Sequence, residues 1–450
     1  MAQAFRIALA RLLLWQDASS TTAKANKPIL ILIPKCFACP NLRSNHYLYK
    51  IMKRNFILVM IAAALMTACL AFSCNEKPEP DPEPQSEDDM LYVGGDISML
   101  QSYIDHSTKY YDEDGNLIQD VLGYMHSEAV GWNAQRVRIF VNPSQKNPDG
   151  GTDLQVCQDF EYVLNLCQEI KNAGFALMLD FHYSDTWADP ANQWIPKEWE
   201  SCNDDELCNK VFEHTREILI ALSNIHCAPD FIQIGNEVTY GMLWSATVDR
   251  NSSTNRCYVE DFNQNWNRFI NLLKSASKAC REFCSQAKII IHTERAGYPD
   301  VTEIIYKNLS AVHYDIIGLS YYPFWHNSLN VLAQTLNMLA TNFPDKKVQI
   351  VETAYYYQYQ PKVGSGIDYD YSSRWPVSPE GQAAYAKDLI TELKRHPNVN
   401  GLFWWFPEEN GNGADNNVSS YWVNRGLWNN TTHRAQPALY VLKDFLKREE

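Results

Sequence analysis

Between residues 92 and 447, eight short apolar runs alternate with eight longer segments of helical spacing, and this alternation restricts the fold more than any other feature of the chain. The strand-like runs are 92–97, 136–141, 176–181, 231–235, 288–292, 316–320, 348–351 and 401–406. The helical segments are 120–130, 154–172, 206–225, 262–283, 301–310, 329–342, 381–394 and 438–447. Parallel strands need crossovers of this kind. Eight such units in about 360 residues predict an α/β fold, a (β/α)8 barrel spanning 91–450 as one domain with long βα loops. A doubly wound open sheet is the other arrangement, but no Gly-rich phosphate loop follows the first run.

In a barrel of this type the chemistry sits where the strands end. Those ends carry Asp96, then Arg138 and Asn142, then His182 and Asp185, then Asn236 and Glu237. The later ones carry His292 and Glu294, Tyr321 and Tyr322, Glu352, and finally Trp404 and Trp405. Asn236 and Glu237 follow the run 231–235 at once, and Glu352 follows the run 348–351. A carboxylate at such a place is costly to bury unless it is paired, solvated or used. Two strand-end glutamates on opposite sides of one barrel mouth could meet across a sugar, one protonated and one ionised, as glycosidic bond cleavage requires. The alternative is that each acid merely stabilises a helix N-terminus.

Composition narrows the partners. The formal net charge is -14, and because residues 1–54 are basic, the rest of the chain is more acidic than the total. Such a chain repels phosphate backbones, which argues against nucleic acid and for an uncharged substrate. The aromatic surplus suits a sugar polymer, whose pyranose faces stack on rings. Trp187, Trp244, Trp325 and Trp405 fall at strand ends or in loops of the same face, although ordinary packing also uses such residues.

The N-terminus reads separately. Lys53 and Arg54 precede an apolar segment, 56–72, broken only by Thr67, and small residues lead to Cys74. This is the pattern of a secretory signal peptide, 52–73, whose end resembles a bacterial lipoprotein signal with Cys74 lipidated; Cys69 is the second choice, and an uncleaved anchor the plainer reading. Residues 1–51 upstream of an export signal read as a mis-called gene start. Residues 74–90 then form a lipidated cysteine and a Pro/acidic tether, EKPEPDPEPQSEDD at 76–89, too polar to bury anything. The expectation is an exported lipoprotein of the outer membrane or cell surface, with the periplasm as the alternative, touching the membrane only through its anchor. Eight cysteines follow Cys74, and an oxidising compartment permits disulfides. Cys202 and Cys208 are the expected local pair, whereas Cys280 and Cys284 lie one helical turn apart, where disulfide geometry is poor. No Cys/His cluster has metal-site spacing.

Several stretches carry a resemblance. Gly235-Asn236-Glu237 after the fourth strand, with a glutamate ending the seventh, resembles the clan A retaining glycosidases. Residues 94–98 (GGDIS), 110–115 (YYDEDG), 136–143 (RVRIFVNP), 179–190 (LDFHYSDTWADP), 234–241 and 351–355 (VETAY) are similar to the arabinogalactan endo-β-1,4-galactanases of glycoside hydrolase family 53. The similarity runs from about residue 91 to the C-terminus, and the third-strand motif is its most specific part. It implies Glu237 as acid/base and Glu352 as nucleophile, with endo-cleavage of galactan or galacto-oligosaccharides by a monomer. It further implies Asn236 on the sugar 2-hydroxyl, Tyr321 orienting Glu352, Arg138 holding the nucleophile ionised, and His182 lining the pocket. Asp96, Asp185, Trp187, His292 and Trp405 complete the expected substrate site. For Arg138 a structural ion pair, and for His182 a satisfied core histidine, remain open. No cofactor is implied beyond structural calcium, for which the loop after the seventh strand offers only Asp368 and Asp370. Two segments depart from the family pattern: 292–297 (HTERAG), expected as His, an apolar residue, Asp, then Asn-Gly, and 404–409 (WWFPEE), expected as a Trp-Glu-Pro type. The same chemistry on mannan or xylan, and a non-catalytic glycan-binding lipoprotein, are the competing readings.

Overall fold

The computed structural model describes residues 90–244, 265–411 and 424–447. The expected gene-start segment, signal peptide, lipidated Cys74 and tether lie outside the described residues, apart from Met90. Eight strands pair in parallel and close on themselves: β1 (Tyr92–Asp96), β2 (Ala134–Ile139), β3 (Ala176–Phe181), β4 (Phe231–Ile234), β5 (Lys288–Thr293), β6 (Ile316–Ser320), β7 (Lys347–Thr353) and β8 (Val399–Trp405). Each follows its predecessor around the ring, and β8 completes it against β1. The crossovers carry α1 (Val121–His126), α2 (Phe160–Asn172), α3 (Asp204–Asn224), α4 (Trp266–Phe283), α5 (Pro299–Asn308), α6 (Leu329–Asn342), α7 (Pro379–Leu393) and α8 (Pro437–Val441). The protein is a (β/α)8 barrel, as the alternation predicts.

Two apolar cores hold it. The larger fills the space between strands and helices; a smaller one, Ala134, Met178, Phe231, Ile290, Ile316, Val351 and Phe403, plugs the bore. Side chains alternate along a strand, so stepping two residues on from that plug keeps the inward direction, except on β7, where a register shift past Ile350 turns Glu352 inward next to Val351. From Ala134 the step reaches Arg136 and then Arg138; from Met178, Asp180 and His182; from Phe231, Gln233; from Ile290, His292; from Ile316, Gly318 and Ser320. The bore is therefore apolar at its base and polar at its mouth, and the strand sequences alone impose that gradient.

Helix boundaries differ from expectation where a cap intervenes. α2 begins at Phe160, not 154, because the Asp159 carboxylate accepts the Tyr162 N–H and starts the helix there. α3 is opened by a reciprocal capping box between Asn203 and Glu206. The last segment is α8 followed by a 3-10 turn over Leu442–Leu446 instead of one helix. Among the described residues no helix is long and apolar enough to cross a membrane.

The expected Cys202–Cys208 pair is not formed: both thiols are free, as are Cys157, Cys167, Cys227, Cys280 and Cys284. The physical reason is the helix start between them. Asn203 caps α3, which carries Cys208 onto the helix and toward Ser275 of α4, its hydrogen-bond partner.

Candidate active site

β4 ends abruptly. Gly235 takes φ 97° and Glu237 φ 45°, two left-handed residues around Asn236. Glycine does this freely, but for glutamate it costs on the order of 1 kcal/mol or more. The turn sends both Asn236 and Glu237 into the mouth of the bore. Opposite, β7 carries a buried Glu352 into the same mouth.

One hydroxyl stands between the two acids. Ser320 Oγ, at the end of β6, lies 2.7 Å from Glu237 Oε1 and 3.4 Å from Glu352 Oε2. Those oxygens are thus no more than about 6 Å apart, short of the roughly 6.5–9.5 Å that separates the carboxyl groups of inverting glycosidases.

The surroundings treat the acids differently. Arg136 Nη2 reaches Glu352 Oε1 at 3.1 Å, and the Tyr322 hydroxyl donates to Oε2 at 2.9 Å. Burial raises Glu352 and Arg136 pulls it back, Asp96 raises it and Tyr322 lowers it, leaving it at about 7. Among the described residues no cation pairs with Glu237: burial first, then Glu352 and Glu294, hold its carboxyl well above the usual range. Of the two, Glu352 is the one placed to be ionised and Glu237 the one to keep a proton.

Arg136 organises the floor of the site. Fully buried, it bonds Asp96 and Asp180 at 2.8 Å each and donates to Asn236 Oδ1 at 2.8 Å. Burial alone would disfavour its charge, but Asp180, Glu352 and Asp96 push its proton affinity up. Removing Arg136 itself would leave these buried carboxylates uncompensated, at a cost of about 3–5 kcal/mol.

The expected site residues distribute as follows. Asn236, Glu237, Glu352, Trp187, Trp405 and Arg138 line one cavity of about 270 Å³, together with Asp153, Gln155, Asp189, Tyr322 and Trp325. Arg138 does not hold the nucleophile; that is Arg136, one inward step deeper. Arg138 instead bonds Asp96 at 3.2 Å and lies 4.2 Å over the Trp187 ring, with Trp405 beyond. Tyr321 does not orient the Glu352 carboxylate: its hydroxyl donates to Asn327 O, and it touches Glu352 only through backbone. Neighbours on a strand point opposite ways, so Tyr322, in step with Ser320, is the residue that reaches inward.

Asp96, His182 and His292 sit beneath the cavity. His182 bonds Asp180 at 3.0 Å and accepts the Ala188 N–H, fixing the loop whose Ala188 carbonyl receives Asn236 Nδ2. His292 is enclosed between Asn236 and Ser320. Asp185 is a loop brace, taking the Asn142 and Lys197 N–H groups, and not a cavity residue. Trp244 is joined to Trp194 by a backbone bridge. Asp370 spends an oxygen on Gln360 and Ser372, and among the described residues no group of three or more His, Cys, Asp or Glu could hold a metal.

Both departing segments are buried. Glu294 accepts from Thr239 and pairs with Arg295, while Glu408 accepts the Met99 N–H. Sequence reasoning passed over Arg136, Ser320 and Gln155; the inward parity of β2 and β6 was the available signal for the first two. A wider cavity of about 1320 Å³ at the other end of the barrel, beside Phe231, Lys288 and Ile316, holds none of the active-site carboxylates.

Comparison with known proteins agrees with this geometry. The model of Glycosyl hydrolase family 53 matches residues 92–442. An endo-beta-1,4-galactanase of Bacillus subtilis is 29% identical over 325 residues, 70% of this chain and 69% of that protein. An arabinogalactan endo-beta-1,4-galactanase of Thermothelomyces thermophilus is 29% identical over 333 residues, 71% of this chain and 90% of the relative. Among solved structures, the Ignisphaera aggregans GH53 catalytic domain superposes with TM-score 0.67 at 28% identity, covering 80% of this chain and 98% of that one. A fungal beta-1,4-galactanase gives 0.65 at 27%, covering 78% and 99%. With its two acids at the ends of β4 and β7 of a closed barrel, the chain belongs to glycosyl hydrolase family 53.

Proposed function

We propose that the chain is an endo-β-1,4-galactanase that hydrolyses galactan, including the type I arabinogalactan side chains of pectin, with retention of configuration. The observation that carries it is the pair of carboxyls on either side of one serine hydroxyl in a tryptophan-walled cavity. Glu352 attacks the anomeric carbon while Glu237 gives its proton to the leaving oxygen, and the glycosidic C–O bond breaks. Glu237, now ionised, takes a proton from water, whose oxygen displaces Glu352. Arg136 and Tyr322 favour the charged nucleophile. Asn236 spends one amide N–H on Ala188 and keeps the other for a sugar hydroxyl. Arg138 Nε and Nη2 and Gln155 Nε2 have no hydrogen-bond partner among the described residues, so they suit hydroxyls of a sugar stacked on Trp187 or Trp405.

The two carboxyls complete the reaction without a cofactor, and calcium near Asp368 and Asp370 would be structural. The relatives named as galactanases favour galactan over other β-glycans. The test is reducing-end release from linear β-1,4-galactan, with mannan and xylan alongside. Galactan-only release with a rapid fall in viscosity is expected. Release from xylan or mannan alone would discard the sugar assignment, and silence on all three from folded protein would discard catalysis. Azide assigns the roles: Glu352→Ala with azide should give the α-glycosyl azide and Glu237→Ala the β. For the N-terminus we propose export, lipidation at Cys74 and a monomeric domain displayed at the bacterial surface. Labelled palmitate should enter the chain and be lost in Cys74→Ala.

A further inference from the structure

His292 has two ring nitrogens and two different neighbours. Nδ1 lies 2.9 Å from Asn236 Oδ1, and Nε2 lies 2.8 Å from Ser320 Oγ. The orientation of Asn236 is fixed from outside: Oδ1 accepts from Arg136 at 2.8 Å and Gln233 at 3.2 Å, and Nδ2 donates to Ala188 O at 2.8 Å. Turning the amide over would set donor against donor twice and oxygen against oxygen once. Oδ1 therefore faces His292, and Nδ1 must carry the hydrogen. The Glu237 N–H also points at Nδ1, but from 3.4 Å, and is the weaker claim. Burial, with Arg136, His182 and His326 nearby, holds His292 well below its usual value, so the ring is neutral and Nε2 bare.

A bare Nε2 takes the one proton of Ser320. The serine oxygen can then only accept from Glu237, 2.7 Å away, and the bond exists only while Glu237 is protonated. We propose that Asn236, His292 and Ser320 form a directional hydrogen-bond chain that keeps the acid proton on Glu237, with His292 and Ser320 acting as positioning residues. This rests on Glu237 being the acid. The groups facing Glu237 are Glu352 from β7, Glu294 beyond β5, Asp189 from the loop after β3, and Ser320 and Tyr322 at the end of β6. A serine that donated to Glu237 would pull its carboxyl down; the chain turns that hydroxyl round and reverses the sign. Once the proton has left for the leaving oxygen, the same hydroxyl can rotate to donate to the carboxylate, which suits its second role as base.

Two measurements on the full chain decide it. With 15N-labelled histidine, the resonances lost in His292→Gln should show, in the unmodified protein, a ring protonated at Nδ1; protonation at Nε2 would overturn the proposal. In the pH profile of kcat/KM, the alkaline limb of Ser320→Ala should move down by about one pH unit, with partial return in Ser320→Thr. A limb that stays or moves up overturns it. The acid reading is checked apart from this with a 2,4-dinitrophenyl galacto-oligosaccharide, whose leaving group needs no proton. Its kcat/KM should lack the alkaline limb, and a limb that persisted there would sink Glu237 as the acid whatever Ser320→Ala does.

Discussion

The bore of the barrel has two storeys built by the same strands, and they do opposite work. The lower one, Ala134, Met178, Phe231, Ile290, Ile316, Val351 and Phe403, has nothing to ionise. Two residues further along those strands stand Arg136, Asp180, Gln233 and His292, all fully buried and all polar. A buried charge is tolerated only when paired, and here each polar group is held by another. The lower storey can thus be varied with loss of stability alone, and the upper one with loss of chemistry. The largest effect should come from Glu352→Ala: kcat falls by about 10⁵-fold while the melting temperature stays within a few degrees. Arg136 keeps Asp96 and Asp180 as partners in that variant. A collapse of both quantities together would break the division between storeys.

The lower storey supplies the converse. Ile290 is wholly buried in the bore plug, so Ile290→Ala should cost about 2–5 kcal/mol of stability, read by denaturant unfolding. Its kcat, measured well below the lowered melting temperature, should remain within about twofold of the parent, because His292, one inward step above, is locked by its own bonds to Asn236 and Ser320.

The difference between storeys also explains what could be read from sequence. The eight-fold alternation announced the barrel because each strand and helix has a local period. Glu237 and Glu352 stood out because a carboxylate ending an apolar run needs a reason to be there. Arg138 was taken for Arg136, and Tyr321 for Tyr322, because spacing alone does not show how deep a side chain lies or which of two neighbours turns inward. That information lives in the register between strands: Arg136 lies opposite Asp96 of β1, which places it one level below Arg138. Asp185 has the look of a site acid, but its role as a loop brace depends on two backbone N–H groups distant in sequence. Cys202 and Cys208 were near enough to pair until the cap between them set one on a helix.

The two tyrosines sharpen the boundary. Tyr322→Phe removes a donor to ionised Glu352, so the carboxyl, already near 7, rises further and the acid limb of kcat/KM moves up in pH. A loss of about 10–100-fold in kcat should accompany it. Tyr321→Phe loses only a bond to Asn327 O, costing about 1 kcal/mol of stability and leaving both limbs where they were. Equal pH shifts in the two variants would undo the parity argument.

The smallest effect runs the other way. A Glu237 carboxyl held above its unfolded value binds its proton more tightly when folded. As pH rises past the unfolded value near 4.3, the unfolded chain releases that proton first, so stability drains away until the folded group ionises too. Glu237→Gln keeps the shape and a donor toward Ser320 but has no proton to lose. The variant should match the parent near pH 4 and exceed it by about 1 kcal/mol at neutral pH, roughly 2 °C in melting temperature, though inactive on galactan. A gap that is the same at both pH values would mean that the Glu237 site does not store strain in its protonation state, and the upper storey would then be no more costly to the fold than the lower.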